Sequence, residues 1–420
     1  METNRQETIP QGYKATALGV IPQEWEIMSL SKAFRVQSGY AFKSERFTTE
    51  CGIPVIRISN LPIDNKYVDL SDCVYYPPSE NIKQQFIVHQ KDLLIAMSGA
   101  TTGKTAIYNY FSNAFLNQRV GVFRQISDQI CCQYLQAIVE SHLFMTRLQP
   151  LLIAGAQPNI SPGDIESMIF PVPPLGEQRK IAEVLGVWDL AIAKQVQLVE
   201  RLTERKRALM QRLLTAKLRL PGFSAPWKKV HYSDILKEVR RTLTWDEHEL
   251  YDLISVRRRS GGVFHRESLY GHEIKTKTLR PALEGDFLIS KMQIVHGASG
   301  VVPKHLSGMK ISGSYIALIA KDPKKLNINY FNLWSQMPLF YHQTFVSSYG
   351  VHIEKMTFDL DAFMSLSMNL PPIEEQNRIV EVISTATDEI ELAQAKLELY
   401  RRQKRGLMQQ LLTGKKRVTY

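Results

Sequence analysis

Two stretches of the chain carry the same four-and-three spacing of apolar residues. Ile181, Leu185, Trp188, Ile192, Val199, Leu202, Leu209 and Leu213 share one face in the first. Ile379, Ile383, Ala386, Ile390, Ala393, Leu397, Tyr400, Leu407 and Leu411 share one in the second. This pattern predicts two long helices whose stripes meet in a coiled-coil seam. Gln195 and the matched Lys206 and Lys404 interrupt the stripe, as polar residues do where a register or partner orientation is specified at some cost in stability. Pro174 and Pro372 precede acidic first turns at Glu177 and Glu374-Glu375, while Lys217 and Lys415-Lys416-Arg417 follow the last turns. Both ends suit the helix dipole. Roughly forty residues at about 1.5 Å each make a rod of about 60 Å.

The two stretches are copies of each other. Pro173-Pro174-Leu175-Gly176-Glu177-Gln178 recurs as Pro371-Pro372-Ile373-Glu374-Glu375-Gln376, and the run from Lys206 to Thr215 recurs from Lys404 to Thr413. The offset is 198 residues at both places. A length held constant while residues diverge suits a rigid spacer, and two unrelated core helices would not share it. On this reading, four residues inserted after Thr215 would lengthen the spacer by one turn.

Between the helices lie two blocks that repeat each other more weakly. Trp25 matches Trp227, VIRIS at 55–59 matches DLISV at 252–256, and KDLLIAMSGA from Lys91 matches GDFLISKMQI from Gly285. Short β-branched runs bounded by Gly, Pro, Asn and Ser, with helical stretches such as 133–148, predict mixed α+β domains. The expected order is a segment at 1–19, a domain at 20–170, a helix region at 171–218, a second domain at 219–370 and a second helix region at 371–420.

At 420 residues, 44% hydrophobic and 22% charged, the chain is long and apolar enough for two such domains. A net charge of +11 favours a polyanionic partner, because Lys and Arg gain free energy by displacing counterions from phosphates, although a merely basic protein would share it. Cys51, Cys73, Cys131 and Cys132 form no CxxC pair, which argues for reduced thiols and no metal site. Neither an apolar signal core nor a membrane-length apolar stretch occurs, so a cytoplasmic location is expected.

PPLGEQRKIAEVL and PPIEEQNRIVEVI, each opening a helix that ends KRALMQRLLT or KRGLMQQLLT, resemble the conserved regions of Type I restriction-modification specificity subunits. KATALGVIPQEW from Lys14 looks like that family's entry to its first target-recognition domain, and GAQPNISPGDIESMIFPVPP from Gly155 like its exit; SYGVHIEKMTFDLDAFMSLSMNLPP is a looser second exit. The resemblance implies two similar target-recognition domains and an antiparallel pair of helices in pseudo-two-fold arrangement. Each domain would read half of a bipartite target in double-stranded DNA. The helices would dock two methyltransferase subunits, which restriction subunits then join. S-adenosylmethionine, ATP and Mg are expected on those partners and no cofactor on this chain. Two similar heads on a rigid spacer reach the same geometry independently, since half-sites about one helical turn, roughly 34–36 Å, apart lie on one face of B-DNA.

Candidate DNA-facing residues follow from strand ends and loops. Arg57, Ser59 and Asn60 close a predicted strand, and Arg257, Arg258 and Arg259 hold the near-equivalent place. Arg can bond guanine O6 and N7 or hold phosphates, and the triple suits phosphates better. The run Ser98-Gly99-Ala100-Thr101-Thr102-Gly103-Lys104-Thr105 imitates a phosphate-binding P-loop but has Ser98 where the first Gly belongs. Ser98, Thr101, Thr102 and Lys104 read better as a loop close to a DNA backbone. Tyr40, Lys43, Asn117, Gln118 and Arg119 extend the first set, and Lys291, Gln293, His296 and Ser299 the second. A solvated loop is the plain alternative for each.

Catalytic motifs are not found: no [DN]PP[YFW], GxGxxG or HExxH run occurs, and Leu370 interrupts Asn369-Leu370-Pro371-Pro372. The chain is expected to bind rather than to catalyse. A divergent fused methyltransferase or endonuclease, or a coiled-coil scaffold for proteins alone, are the alternatives.

Overall fold

The computed structural model describes residues 9–62, 66–78, 82–153, 159–275 and 277–419. Residues 1–8 of the expected N-terminal segment and 155–158 of the first exit lie outside the described residues. Contacts divide the chain into two compact units, Met1–Val196 with Lys396–Tyr420, and Gln197–Ala395. The division does not follow the expected alternation of block and rod. Each of the long helices, α1 (Leu175–Leu214) and α2 (Ile373–Leu412), gives one half to each unit.

Both helices run 40 residues and start straight after their Pro-Pro pair. In the first unit Ile181 and Leu185 of α1 share a core with Met408, Leu411 and Leu412 of α2. In the second, Ile379 and Ile383 of α2 share one with Met210, Leu213 and Leu214 of α1. The start of one helix therefore packs with the end of the other in each unit, which is antiparallel pairing. Trp188 meets Tyr400 edge to face at 5.8 Å between ring centres. All seam residues expected from the spacing are buried or half-buried.

The sheets explain why the sequence blocks looked like repeats. In the first unit the strands are β1 (Phe34–Ser38), β2 (Ile53–Ile56), β3 (Val74–Tyr76), β4 (Ile87–Val88), β5 (Leu93–Ala96), β6 (Thr105–Ile107), β7 (Ala114–Leu116) and β8 (Val120–Gln125). They form two four-stranded sheets ordered β1-β8-β5-β6 and β3-β2-β7-β4. The second unit contains β9 (Leu236–Glu238), β10 (Leu250–Val256), β11 (Val263–Tyr270), β12 (Arg280–Pro281), β13 (Phe287–Ser290), β14 (Ser299–Val301), β15 (Lys310–Ile311) and β16 (Tyr315–Ala320). Its sheets are ordered β9-β16-β13-β14 and β11-β10-β15-β12, so every strand has a counterpart eight places earlier. The parallel pair recurs too, β2 with β7 and β10 with β15.

A two-stranded ribbon ties each domain's entry to its exit: Glu26–Ser29 with Ile169–Val172, and Lys228–His231 with Ser367–Leu370, both antiparallel. The stretch at 133–148 is two helices, Cys132–Val139 and His142–Ile153. Ser141 breaks them apart, its hydroxyl donating to Ile138 O at 2.5 Å and accepting from Phe144 N at 3.4 Å.

Candidate nucleic-acid interface

The expected loops of the first unit gather at one edge of its sheets. Tyr40 and Asn117 pair backbone to backbone, and Gln118 N donates to Tyr40 O at 2.9 Å. Asn117 N reaches Ile56 O at 3.1 Å, beside Arg57, and Met97 N reaches Arg119 O at 2.9 Å, beside Ser98. Ser59, Gln118, Arg119 and Lys43 are exposed, and Tyr40 stands open while leaning on Phe42 and Phe86. Arg57 is half-buried, with Nη2 reaching Asp72 O at 3.5 Å.

Several candidates turn inward instead. Asn60 is 2% exposed; its Oδ1 accepts from Arg57 N and its Nδ2 donates to Asp69 O, both at 2.9 Å. It pins a turn and has no free edge for adenine. Thr102 is buried and donates to Gly99 O at 2.7 Å, and the hydroxyls of Ser98 and Thr101 are enclosed. Of that loop only Lys104 keeps a partly open cationic end. The P-loop imitation fails structurally as well. The loop runs from β5 into β6 rather than into a helix, and the amides of Thr102, Gly103 and Lys104 are spent on Gly99, Ala96 and Thr101 carbonyls. At Gly103, φ is +86° and an added Cβ would lie 2.0 Å from Leu148 Cδ2, so the turn requires glycine to pack on its helix.

In the second unit the arginine triple forms the turn between β10 and β11. Arg259 and Ser260 take left-handed backbone, φ 58° and 54°, held by Arg259 N to His296 O at 2.7 Å and Ser260 N to Gly297 O at 2.9 Å. Tyr341 OH lies 2.7 Å from Ser260 Oγ and would lie 2.1 Å from any Cβ at Gly297, which keeps that position glycine. Arg257 lies over the Phe264 ring at 4.2 Å, Arg258 pairs with Glu354 at 2.8 Å, and Arg259 is exposed. His296 lies 3.2 Å from the same Glu354, and Lys291 O accepts from Phe358 N at 3.0 Å. The latter contact matches Ile160 N to Met97 O at 2.9 Å in the first unit. Gln293 is half-buried. Ser299 is 2% exposed inside β14, its hydroxyl enclosed, and cannot reach DNA from there.

The repeated Glu-Gln pair at the start of each long helix does more than complement the helix dipole with an acidic first turn. Glu177 accepts Trp25 Nε1 at 2.9 Å and binds Arg417 through Nε at 2.6 Å and Nη2 at 2.9 Å. Glu375 accepts Trp227 Nε1 at 3.0 Å and binds Arg219 at 2.7 and 2.9 Å. Gln178 fastens the Cys131 amide and the Gln129 and Pro173 carbonyls; Gln376 does the same for Asn327, Lys325 and Pro371. Each domain is thereby clamped to the first turn of a helix.

A second fastening exists in the first unit. Lys404 Nζ meets Asp189 at 2.5 Å and Glu140 at 3.1 Å, and Lys66 meets Asp189 at 2.8 Å and Glu140 at 3.8 Å. Burial alone would lower the Lys404 pKa, but the two carboxylates outweigh it and the net shift is upward. Lys206, 198 residues earlier, has Thr387 where Asp189 would recur. Burial lowers its pKa, with only partial relief from the charge of Glu391. Among the described residues no group of three or more His, Cys, Asp or Glu could hold a metal ion, and no helix is long and apolar enough to cross a membrane.

Comparison with known proteins agrees with this architecture. A family model described as the Type I restriction modification DNA specificity domain matches residues 22–203. The type I restriction enzyme MjaVIII specificity subunit of Methanocaldococcus jannaschii is 29% identical over 51% of this chain, and the match spans about half, 51%, of that relative. The MjaX specificity subunit of the same organism is 25% identical over 97% of both chains. In fold, a chain from a structure describing complex assembly and conformational transition of the type I R-M system matches with TM-score 0.60 at 16% identity, over 94% of this chain and 99% of that one. The Type I S subunit from M. genitalium matches with TM-score 0.54 at 11% identity, over 92% and 96%. With the repeated helices and the doubled sheets, these likenesses make the chain similar along its length to Type I restriction-modification specificity subunits, with residues 22–203 matching that family's DNA specificity domain.

Proposed function

We propose that this chain reads DNA sequence for a Type I restriction-modification complex, the recognition domain of each unit taking one half of a bipartite target. The observation that carries this reading is the strand-for-strand recurrence of the two domains, each gathering basic and polar loops at its sheet edges. A net charge of +11 supplies the sequence-independent part of the affinity. The paired helices set the unspecified spacer and dock two methyltransferase subunits, which restriction subunits then join. Methyl transfer, ATP hydrolysis and cleavage belong to those partners, with S-adenosylmethionine, ATP and Mg; this chain acts in the cytoplasm without catalysis of its own.

The test is a footprint of the chain assembled with its methyltransferase subunits, guided by methylome sequencing of the source strain. Two protected half-sites flanking an unprotected spacer are expected. The absence of any sequence-selective footprint would return the chain to a scaffold for proteins alone. Methyl transfer from labelled S-adenosylmethionine by the purified chain without partners would overturn the division of labour.

A further inference from the structure

Beside the arginine turn of the second unit stands a hairpin with an exposed apolar tip. Ser348–Tyr349 pairs antiparallel with Thr357–Phe358, and the connection between them carries Val351, 95% exposed, flanked by Tyr349 at 65% and Ile353 at 51%. Its base is firm: Asp359 N donates to Ser347 O at 2.8 Å, Phe358 N to Lys291 O at 3.0 Å, and Met356 is buried. Its flank is tied to the candidate DNA-facing residues, since Glu354 pairs with Arg258 and lies 3.2 Å from His296.

An apolar tip presented this openly has a cost, because a valine left in water forgoes the free energy that its burial would release. Clustered exposed apolar groups mark a surface with a partner. The surroundings specify the partner's chemistry. Arg257, Arg258, Arg259 and Lys291 lie alongside, opposed by Glu354, so the patch suits a polyanion with apolar planes inside it. Duplex DNA has that combination, and small apolar side chains between base steps, with cations on the flanking phosphates, are a known way to read deformability.

We infer that the 348–358 hairpin is a wedge, Val351 entering a base step of the second half-site while the arginine turn holds the adjacent phosphates. The inference rests on the DNA-reading role proposed above. It makes Val351 a specificity determinant that senses how readily a step unstacks, apart from any hydrogen bond to a base edge.

The experiment uses the assembled complex and duplexes carrying 2-aminopurine at successive positions of the footprinted target. Wild-type complex should raise the fluorescence of one position in the second half-site several-fold. Val351→Ser should abolish that rise and weaken binding about tenfold, while Val351→Leu retains both. Unchanged fluorescence and affinity in Val351→Ser, with the footprint intact, would overturn the wedge. So would a Val351→Ser complex that loses methyltransferase subunits yet unstacks the DNA normally, since the patch would then be a protein-docking face. A wild-type complex with no footprint would remove the underlying role, and the wedge with it.

Discussion

Arg417 holds Glu177 through two parallel hydrogen bonds, and the glutamate side chain has no exposure to solvent. The carboxylate also accepts the Trp25 indole, so one charge satisfies donors from the residue just before the entry strand Glu26–Ser29 and from the chain after α2. Removing it should leave the Trp25 indole N–H without an acceptor and the Arg417 guanidinium with only Glu24, which accepts from its Nη2 at 3.0 Å. Glu177→Ala is expected to cost about 3–5 kcal/mol in urea unfolding, the scale of a broken buried pair. Glu375→Ala should cost a similar amount through Arg219 and Trp227, and a double-mutant cycle with Arg417→Met should show strong coupling only for Glu177.

Lys404 and Lys206 should respond in opposite senses. Lys404→Met leaves Asp189 and Glu140 to Lys66 alone and should destabilise by about 2–4 kcal/mol. Lys206→Met removes a half-buried charge and should be neutral or stabilising by up to about 1 kcal/mol.

The pH dependence has the matching signs. The folded state raises the pKa of Lys404, so its contribution is full below the ordinary value of 10.5 and fades as pH climbs through the raised value. The folded state lowers the pKa of Lys206, so its charged form costs stability at neutral pH, and stability recovers as pH rises through the lowered value toward 10.5. Unfolding followed from pH 7 to 11 in both Met variants and the parent separates the two.

Inward and outward candidates should also part. Asn60→Ala should cost about 1–3 kcal/mol of stability by stranding the Arg57 amide. Arg119→Ala and Arg259→Ala should leave melting unchanged. Each should weaken DNA binding by about 1–3 kcal/mol if it reads a base, or reduce the salt slope by about one if it holds a phosphate. Equal melting and equal affinity across all three variants would contradict the assignment.

The spacer experiment needs a different design from the insertion after Thr215. Thr215 lies past the end of α1, next to Ala216 at φ 57°, and four residues below it Arg219 binds Glu375. An insertion there should break that clamp instead of lengthening the helix. Seven residues added to both helices at facing positions keep the seam in register and add about 10 Å. The unspecified DNA spacer is expected to grow by about three base pairs with both half-sites unchanged, as read by methylome sequencing. An unaltered spacer would count against the ruler.

The helices were legible because their seam repeats locally and their ends carry prolines. The doubled sheets were legible only as faint matches such as VIRIS with DLISV, since strand pairing joins residues far apart in sequence. The glutamate clamps were not legible at all: the partners of Glu177 lie 152 and 240 positions away. The recurrence of Arg219 as Arg417 at the same 198-residue offset was the available signal. Nor does residue type tell which side of a turn faces solvent, and for that reason Asn60, Thr102 and Ser299 resembled readers.

The four-charge knot of Lys66, Glu140, Asp189 and Lys404 has a bearing on which domains each half of the chain could accept. A foreign domain grafted into the first slot must bring a lysine and a glutamate to the places of Lys66 and Glu140, or strand the helix charges beneath it. The second slot offers Thr387 in the place of Asp189 and leaves Lys206 with only partial relief from the charge of Glu391, and it makes no such demand. New specificities should therefore be acquired asymmetrically, with the second slot the more permissive host and soluble yield of chimaeras the quantity that reveals it.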